Sequence, residues 1–264
     1  MLDNWKIIND NRYKHKEGIH LKRKVLFFVG LLSISLLIGA TATVALYEVP
    51  SVPGIGQVTP RPGGVTEIGV VPAPAVGGVS TATIDVAAIP GITANHQPGG
   101  TVVFDVASPP LGTVETLIPA NVLNAATGMA VRVQTTSATV ELPASLVASS
   151  AVAGRTLSVT ISTPAPQALD AARPSGTVRV GSPISVQTNF TGEMRVTIPL
   201  GLFMPTEPQA RAAFLARLQV FGLVGGVGST QSGLSFTIDE TAVPPVLRGV
   251  TFSTRNPGSF SVIR

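Results

Sequence analysis

The chain of 264 residues contains no cysteine, so no disulfide can staple it and no thiol chemistry is open to it. Lysine is absent beyond Lys24, and aromatic residues make up 5% of the chain, with one Trp and two Tyr. Histidine is nearly as rare: beyond His20 only His96 occurs. Each absence excludes a class. A zinc site needs three or four His, Cys or carboxylate ligands, which a lone His96 does not begin to supply. Sugar-binding surfaces stack on exposed aromatics, and residues 48–264 hold no Trp or Tyr. Charge is low too, at 12%. In residues 43–264 eleven Arg stand against eleven Asp plus Glu. The net charge of +4 therefore belongs to residues 1–24, where seven Lys and Arg face Asp3, Asp10 and Glu17. Nucleic-acid binders concentrate basic residues on their folded part. Here they are scattered singly, and nucleic acid is excluded as a partner.

What is present starts with one long apolar run, Val25 to Leu46, preceded by Lys22-Arg23-Lys24. At about 1.5 Å per residue, roughly twenty apolar residues span a bilayer core. Two membrane readings follow. In a signal peptide the apolar core runs Val25 to Ile38, and Ala40-Thr41-Ala42 forms a small-x-small cleavage site. In an uncleaved signal anchor the helix continues to Leu46, with Tyr47 at the outer interface. Under both, the basic tail 1–24 stays in the cytoplasm and the rest is exported. The expected location is a single-pass protein of the cell membrane, or a secreted cell-surface protein released near Ala42.

Residues 47–80 are crowded with Pro and Gly and nearly free of charge, the composition of a spacer, with Thr66–Val71 the one stretch that could form a short strand. An internal repeat follows: T-A-T-I-D-V-A-A-I-P (81–90) and T-V-V-F-D-V-A-S-P-P (101–110). Alternation places Ile84 and Val86, and likewise Phe104 and Val106, on one face, with Asp85 and Asp105 on the other. The link GITANHQPGG reads as loop, so residues 81–112 form a hairpin or two equivalent strands and could be a separate unit. A calcium site built on Asp85 and Asp105 would need six to eight oxygens, and the nearest further carboxylate is Glu115.

From Thr113 onward Val, Ile and Thr dominate short alternating runs separated by turn residues. Strands are expected at Val114–Ile118, Ala130–Thr135, Ala138–Leu142, Arg155–Ser162, Thr177–Val180, Ile184–Thr188, Met194–Pro199, Leu218–Val224, Leu234–Ile238, Gly249–Thr254 and Ser259–Ile263. L-I-P-A-N-V-L (117–123), E-L-P-A-S-L-V (141–147) and T-I-P-L-G-L-F (197–203) each read as a strand that stops before Pro and feeds a short helical turn. One true helix is expected, Glu207 to about Leu218, burying Phe214, Leu215 and Leu218. The fold class is all-β, an antiparallel β-sandwich over residues 81–264 with short helical turns and one short helix, behind a transmembrane or signal helix at 25–46.

The run I-P-A-N-V-L, V-R-V-Q-T-T-S-A-T-V-E-L-P-A-S-L-V, L-S-V-T-I-S, continued by S-P-I-S-V-Q-T-N-F-T-G-E-M-R-V-T-I-P-L and by G-V-T-F-S-T-R-N-P-G-S-F-S-V-I, resembles a β domain of bacterial cell-surface and surface-layer-associated proteins. The similarity covers about residues 113–264. It implies a structural or adhesive module, with no catalytic signature. The chain departs from that pattern in having no wall-binding repeats, and in a final hairpin that carries Phe252 and Phe260 but no Tyr or Trp. The amino-terminal helix is then the expected anchor.

Candidate sites are thin. A Ser-His-Asp arrangement would have to use His96, which sits in a Pro/Gly loop, and no G-x-S-x-G motif occurs. Asp239-Glu240 is the densest acidic point, yet neighbours in extended chain point to opposite faces, so it reads as a solvated turn rather than a glycosidase pair. Gly222–Gly228 lacks the Lys-Ser/Thr of a phosphate loop and reads as a hairpin loop. Asn189-Phe190-Thr191 fits an N-glycosylation acceptor by chance. No catalytic, cofactor-binding or metal-binding residue is assigned, and no cofactor is expected. The expected partners are the membrane, through residues 25–46, and an envelope protein or polymer, with a homo-oligomer open. The function expected is a non-enzymatic extracytoplasmic module of a cell envelope. The alternatives are an adhesin or subunit of a pilus- or layer-like surface assembly and, more remotely, an envelope hydrolase.

Overall fold

Burial alternates along the strands as a two-residue side-chain period requires: Val114, Thr116 and Ile118 point inward, and so do Val131 with Val133 and Leu157, Val159 with Ile161. The computed structural model describes residues 54–108 and 112–264; the apolar stretch 25–46, its cleavage site and the basic tail lie outside the described residues. Among the described residues no helix is long and apolar enough to cross a membrane.

The described chain is mostly β, in two sheets that share one core. The first runs, in spatial order, β1 (Gly54–Arg61), β2 (Val65–Val71), β4 (Thr101–Val106), β6 (Ala130–Gln134), β7 (Thr139–Leu142), β10 (Met194–Phe203), β14 (Val246–Thr254) and β13 (Ser235–Asp239). The second runs β12 (Val227–Gln231), β11 (Gln219–Val224), β15 (Gly258–Ile263), β9 (Arg179–Thr188), β8 (Leu157–Ser162), β5 (Thr113–Ile118) and β3 (Val79–Thr83). Phe252 on β14 and Phe260 on β15 meet between the sheets, their ring centroids 4.9 Å apart.

Both sheets are mixed, which corrects the antiparallel expectation: β2, β4 and β6 run parallel, as do β3 and β5. The cause is a pair of equivalent crossovers. From β3 the chain passes through a 3-10 turn (Val86–Ala88) and α1 (Ile89–Ala94) into β4. From β5 it passes through α2 (Ala120–Ala125) into β6. Each carries the chain from the second sheet to the first, so the strands that leave are parallel neighbours and so are those that arrive. The helical content exceeds the single helix expected: α3 (Ala144–Val152) joins β7 to β8, α4 (Gln167–Ala172) joins β8 to β9, and α5 (Pro208–Ala216) joins β10 to β11. In α5 Phe214 and Leu215 are half-buried, while Leu218 is buried just past its end.

Four further expectations change. The Pro/Gly stretch from Gly54 to Ser80 is a pair of strands and the start of a third, not a spacer, because Thr66, Ile68 and Val70 alternate into the core. The repeat at 81–110 is no hairpin. Its second copy is strand β4, but in the first the Asp85 carboxylate accepts the Ala87 N–H, and Pro90 suits a first helical turn, so the chain leaves the strand for helix. That helix also takes up part of the link read as loop, and Val86 turns outward while Ile84 stays buried. The pattern of strand, proline and helical turn appears at Pro119 and Pro143, each standing extended just before its helix. At Pro199 it fails. There β10 runs on to Phe203, since β7 pairs with β10 only as far as Thr197 and a register shift after Pro199 absorbs the missing donor. Finally, β14 and β15 belong to different sheets, so residues 255–257 are an arch between sheets and not a hairpin turn.

Two core-facing hydroxyls, Thr66 and Thr116, are fully buried with no hydrogen-bond partner among the described residues. Valine keeps the shape and removes the desolvated oxygen. Thr66→Val and Thr116→Val should each raise stability by about 1 kcal/mol in equilibrium denaturation.

Candidate functional site

In V-R-V-Q-T, T-V-E-L and M-R-V-T-I the valines face the core, so Arg132, Glu141 and Arg195 face outward. Strand order then brings them together, because β7 lies between β6 and β10 with Arg132 opposite Glu141 and Glu141 opposite Arg195. Glu141 accepts from the Arg132 guanidinium at 2.6 and 3.1 Å, and its other oxygen lies 3.6 Å from Arg195 Nη1. Beside this chain of charges, the first turns of α3 and the loop before β10 enclose an open cleft of about 690 Å³. Glu141, Ser145, Leu146, Ser149, Glu193 and Arg195 line it. Both Glu141 oxygens are engaged by guanidinium groups, and the Ser149 hydroxyl donates to the Leu146 carbonyl at 3.0 Å. Arg195, paired with Glu141 but largely exposed, is the group best placed to meet an anionic surface. The arrangement suits contact with a charged partner better than proton transfer.

The residues singled out in the sequence do not converge. His96 is exposed and, with the proton on Nε2, donates to the Thr127 carbonyl at 2.8 Å. Asp239 and Glu240 point to different partners. Asp239 accepts from the Thr241 hydroxyl, the Arg248 guanidinium and the Thr241 N–H, which together hold its carboxyl down at about 2. Glu240 takes both its bonds from Arg211, at 2.7 and 2.8 Å. Asp85 caps the 3-10 turn, Glu115 accepts from the Ser158 hydroxyl at 2.9 Å, and Asp105 stands on β4 opposite Gly69 and Gln134. The Asn189 side chain bonds the Ser158 N–H and the Thr156 carbonyl, so it is spent on tying a loop to β8. Gly225 and Gly226, with φ of 56° and 83°, make the two-residue turn between β11 and β12.

Burial first, and the Glu67 carboxylate second, push the Asp105 carboxyl above the ordinary aspartate range. A carboxyl that binds its proton more tightly folded than unfolded loses stability as pH rises from its unfolded value through its folded one. Asp105→Asn should therefore be more stable than the parent at pH 7, with the difference vanishing below pH 4. Paired urea titrations at the two pH values read this directly.

Compared with known proteins, the chain matches no family model and no curated protein. Sequence reasoning missed the Arg132–Glu141–Arg195 chain. The alternation that turns each residue outward was readable, but the order of strands that joins them was not.

Proposed function

We propose that the chain is a non-enzymatic, extracytoplasmic structural or interaction module of a bacterial cell envelope. It is held in the membrane by residues 25–46, or released after cleavage near Ala42. The observation that carries this reading is the dispersal of its acid–base side chains. His96, Glu141, Asp239 and Glu240 are each bound to a different local partner, so each serves a turn or a sheet face and no two of them face one site. The uncharged run Val25 to Leu46 behind its basic flank supports export, and the resemblance over residues 113–264 supports a surface role. A second reading, an adhesin or subunit of a surface assembly, is favoured by the bare edge of the second sheet described below.

The test is the amino-terminal sequence and intact mass of the protein from fractionated cells. A chain beginning at Met1 in membranes, or at Thr43 in the wall or medium, supports the proposal. A chain beginning at Met1 in the soluble cytoplasm overturns it.

A further inference from the structure

A sheet edge presents unpaired N–H and C=O groups, and proteins that stay monomeric blunt such edges with charge, proline, bulges or a covering segment. Among the described residues the two sheets have four edges, and three of them are blunted in those ways. β1 carries Pro60, Arg61 and a register shift between Ile55 and Val58. β3 is covered by the chain before it, through Ala73 N–H to the Thr81 carbonyl at 2.8 Å and mutual bonds between Val76 and Val79. β13 is broken by a register shift between Thr237 and Ile238 and ends at Asp239, clamped by Arg248. Among the described residues the fourth edge, β12, has none of these devices. Its sequence V-G-S-T-Q holds no charge and no proline, its register on β11 is unbroken, and four of its five residues are exposed, with Val227 at 70%.

We propose that β12 is a pairing edge for a second copy of this chain, joined to it antiparallel about a two-fold axis through Ser229. In a ladder closed by a two-residue turn, alternate residues carry the rungs. Val227, Ser229 and Gln231 bond to β11, which directs the N–H and C=O of Gly228 and Thr230 outward. Those two residues have the spacing that self-pairing needs. Gly228 of one copy meets Thr230 of the other in a hydrogen-bonded pair, and the two-fold repeats the pair, giving four backbone bonds. Ser229 then faces its own counterpart in the closer, non-hydrogen-bonded pair. The Phe221 ring fills the space a Cβ at 228 would take, so the Thr230 side chain of the other copy comes to lie beside that ring. An uncharged strand also meets itself without like-charge repulsion. The cleft beside it carries one carboxylate, Glu193, and one guanidinium, Arg255, so the approach of two copies gathers no net charge. Pairing continues the seven-stranded sheet across both copies. The strand is short, so its pairing is weak, and it rests on the β12 edge alone, wherever the protein resides.

The chain has no native cysteine, so one introduced thiol reports the register. Cα atoms of a non-hydrogen-bonded antiparallel pair lie about 4.5 Å apart, within the span of a disulfide. The neighbouring Thr230 positions are offset along the strands beyond that span. Full-length Ser229→Cys in detergent micelles should form a disulfide-linked dimer under mild oxidation, at least tenfold faster than Thr230→Cys. Adding Thr230→Pro, which deletes an outward N–H and leaves the bonds to β11 intact, should abolish the cross-link while circular dichroism stays unchanged. Equal cross-linking at 229 and 230, none at 229, or persistence in the proline variant would each overturn the proposal.

Discussion

Phe260→Ala is expected to lower the unfolding free energy by about 4 kcal/mol, a large part of the 5–15 kcal/mol that holds a typical domain folded. The ring is fully buried and packs at 4.9 Å on Phe252 from the facing sheet. The ring also lies against Gly222, its cross-strand partner on β11, where a side-chain carbon would come within 2.8 Å of it. These neighbours are held by strands, so the site cannot collapse around the vacancy. With no disulfide to limit the unfolded chain, burial must carry the fold, and aromatic rings are few. The denaturant midpoint checks the value. A loss below 1 kcal/mol would mean that the two sheets do not meet at this ring.

The second large effect is expected at Gly100. A β-carbon there would collide with the Gly64 carbonyl oxygen and stand 2.9 Å from that of Gln97, both backbone atoms with little freedom to move. The close approach matters for the fold, because it begins both parallel ladders of the first sheet. Thr101 N–H donates to the Gly64 carbonyl at 3.0 Å, and Ala130 N–H donates to that of Gly100 at 2.9 Å. Gly100→Ala should cost about 3 kcal/mol. Gly201, where an added Cβ would meet nothing within 4 Å, should accept alanine within about 0.5 kcal/mol. Equal effects at the two positions would contradict the close packing of β2 on β4.

How much of this was legible beforehand follows from what is local. Alternation depends on neighbours in sequence, so V-R-V-Q-T and M-R-V-T-I announced strands and their inward faces correctly. Prolines 119 and 143 announced helix starts for the same reason. Sheet membership depends on contacts far apart in sequence. Nothing near Phe252 and Phe260 tells a hairpin from an arch between sheets, and nothing near Thr81 or Thr101 tells that the two copies of one motif lie in different sheets. Pro/Gly composition misled at residues 54–80. There Gly63 and Gly64, with φ of 79° and 73°, serve a turn, while Thr66, Ile68 and Val70 still carry the strand pattern. Strand β12 was hidden because V-G-S-T-Q buries nothing and shows no alternation. For the site, the outward direction of Arg132, Glu141 and Arg195 was readable, but their meeting rests on β7 inserting between β6 and β10.

Export is the claim on which the functional proposal rests, and the missing cysteines allow a direct measurement. Val152, at the end of α3, is 90% exposed, and Val152→Cys places a single thiol on the folded surface. Intact cells producing this variant would be treated with a membrane-impermeant maleimide and compared with lysed cells. Labelling in intact cells equal to that after lysis is the expected result and places the β body outside the membrane. Labelling only after lysis would put it in the cytoplasm and contradict an extracytoplasmic role.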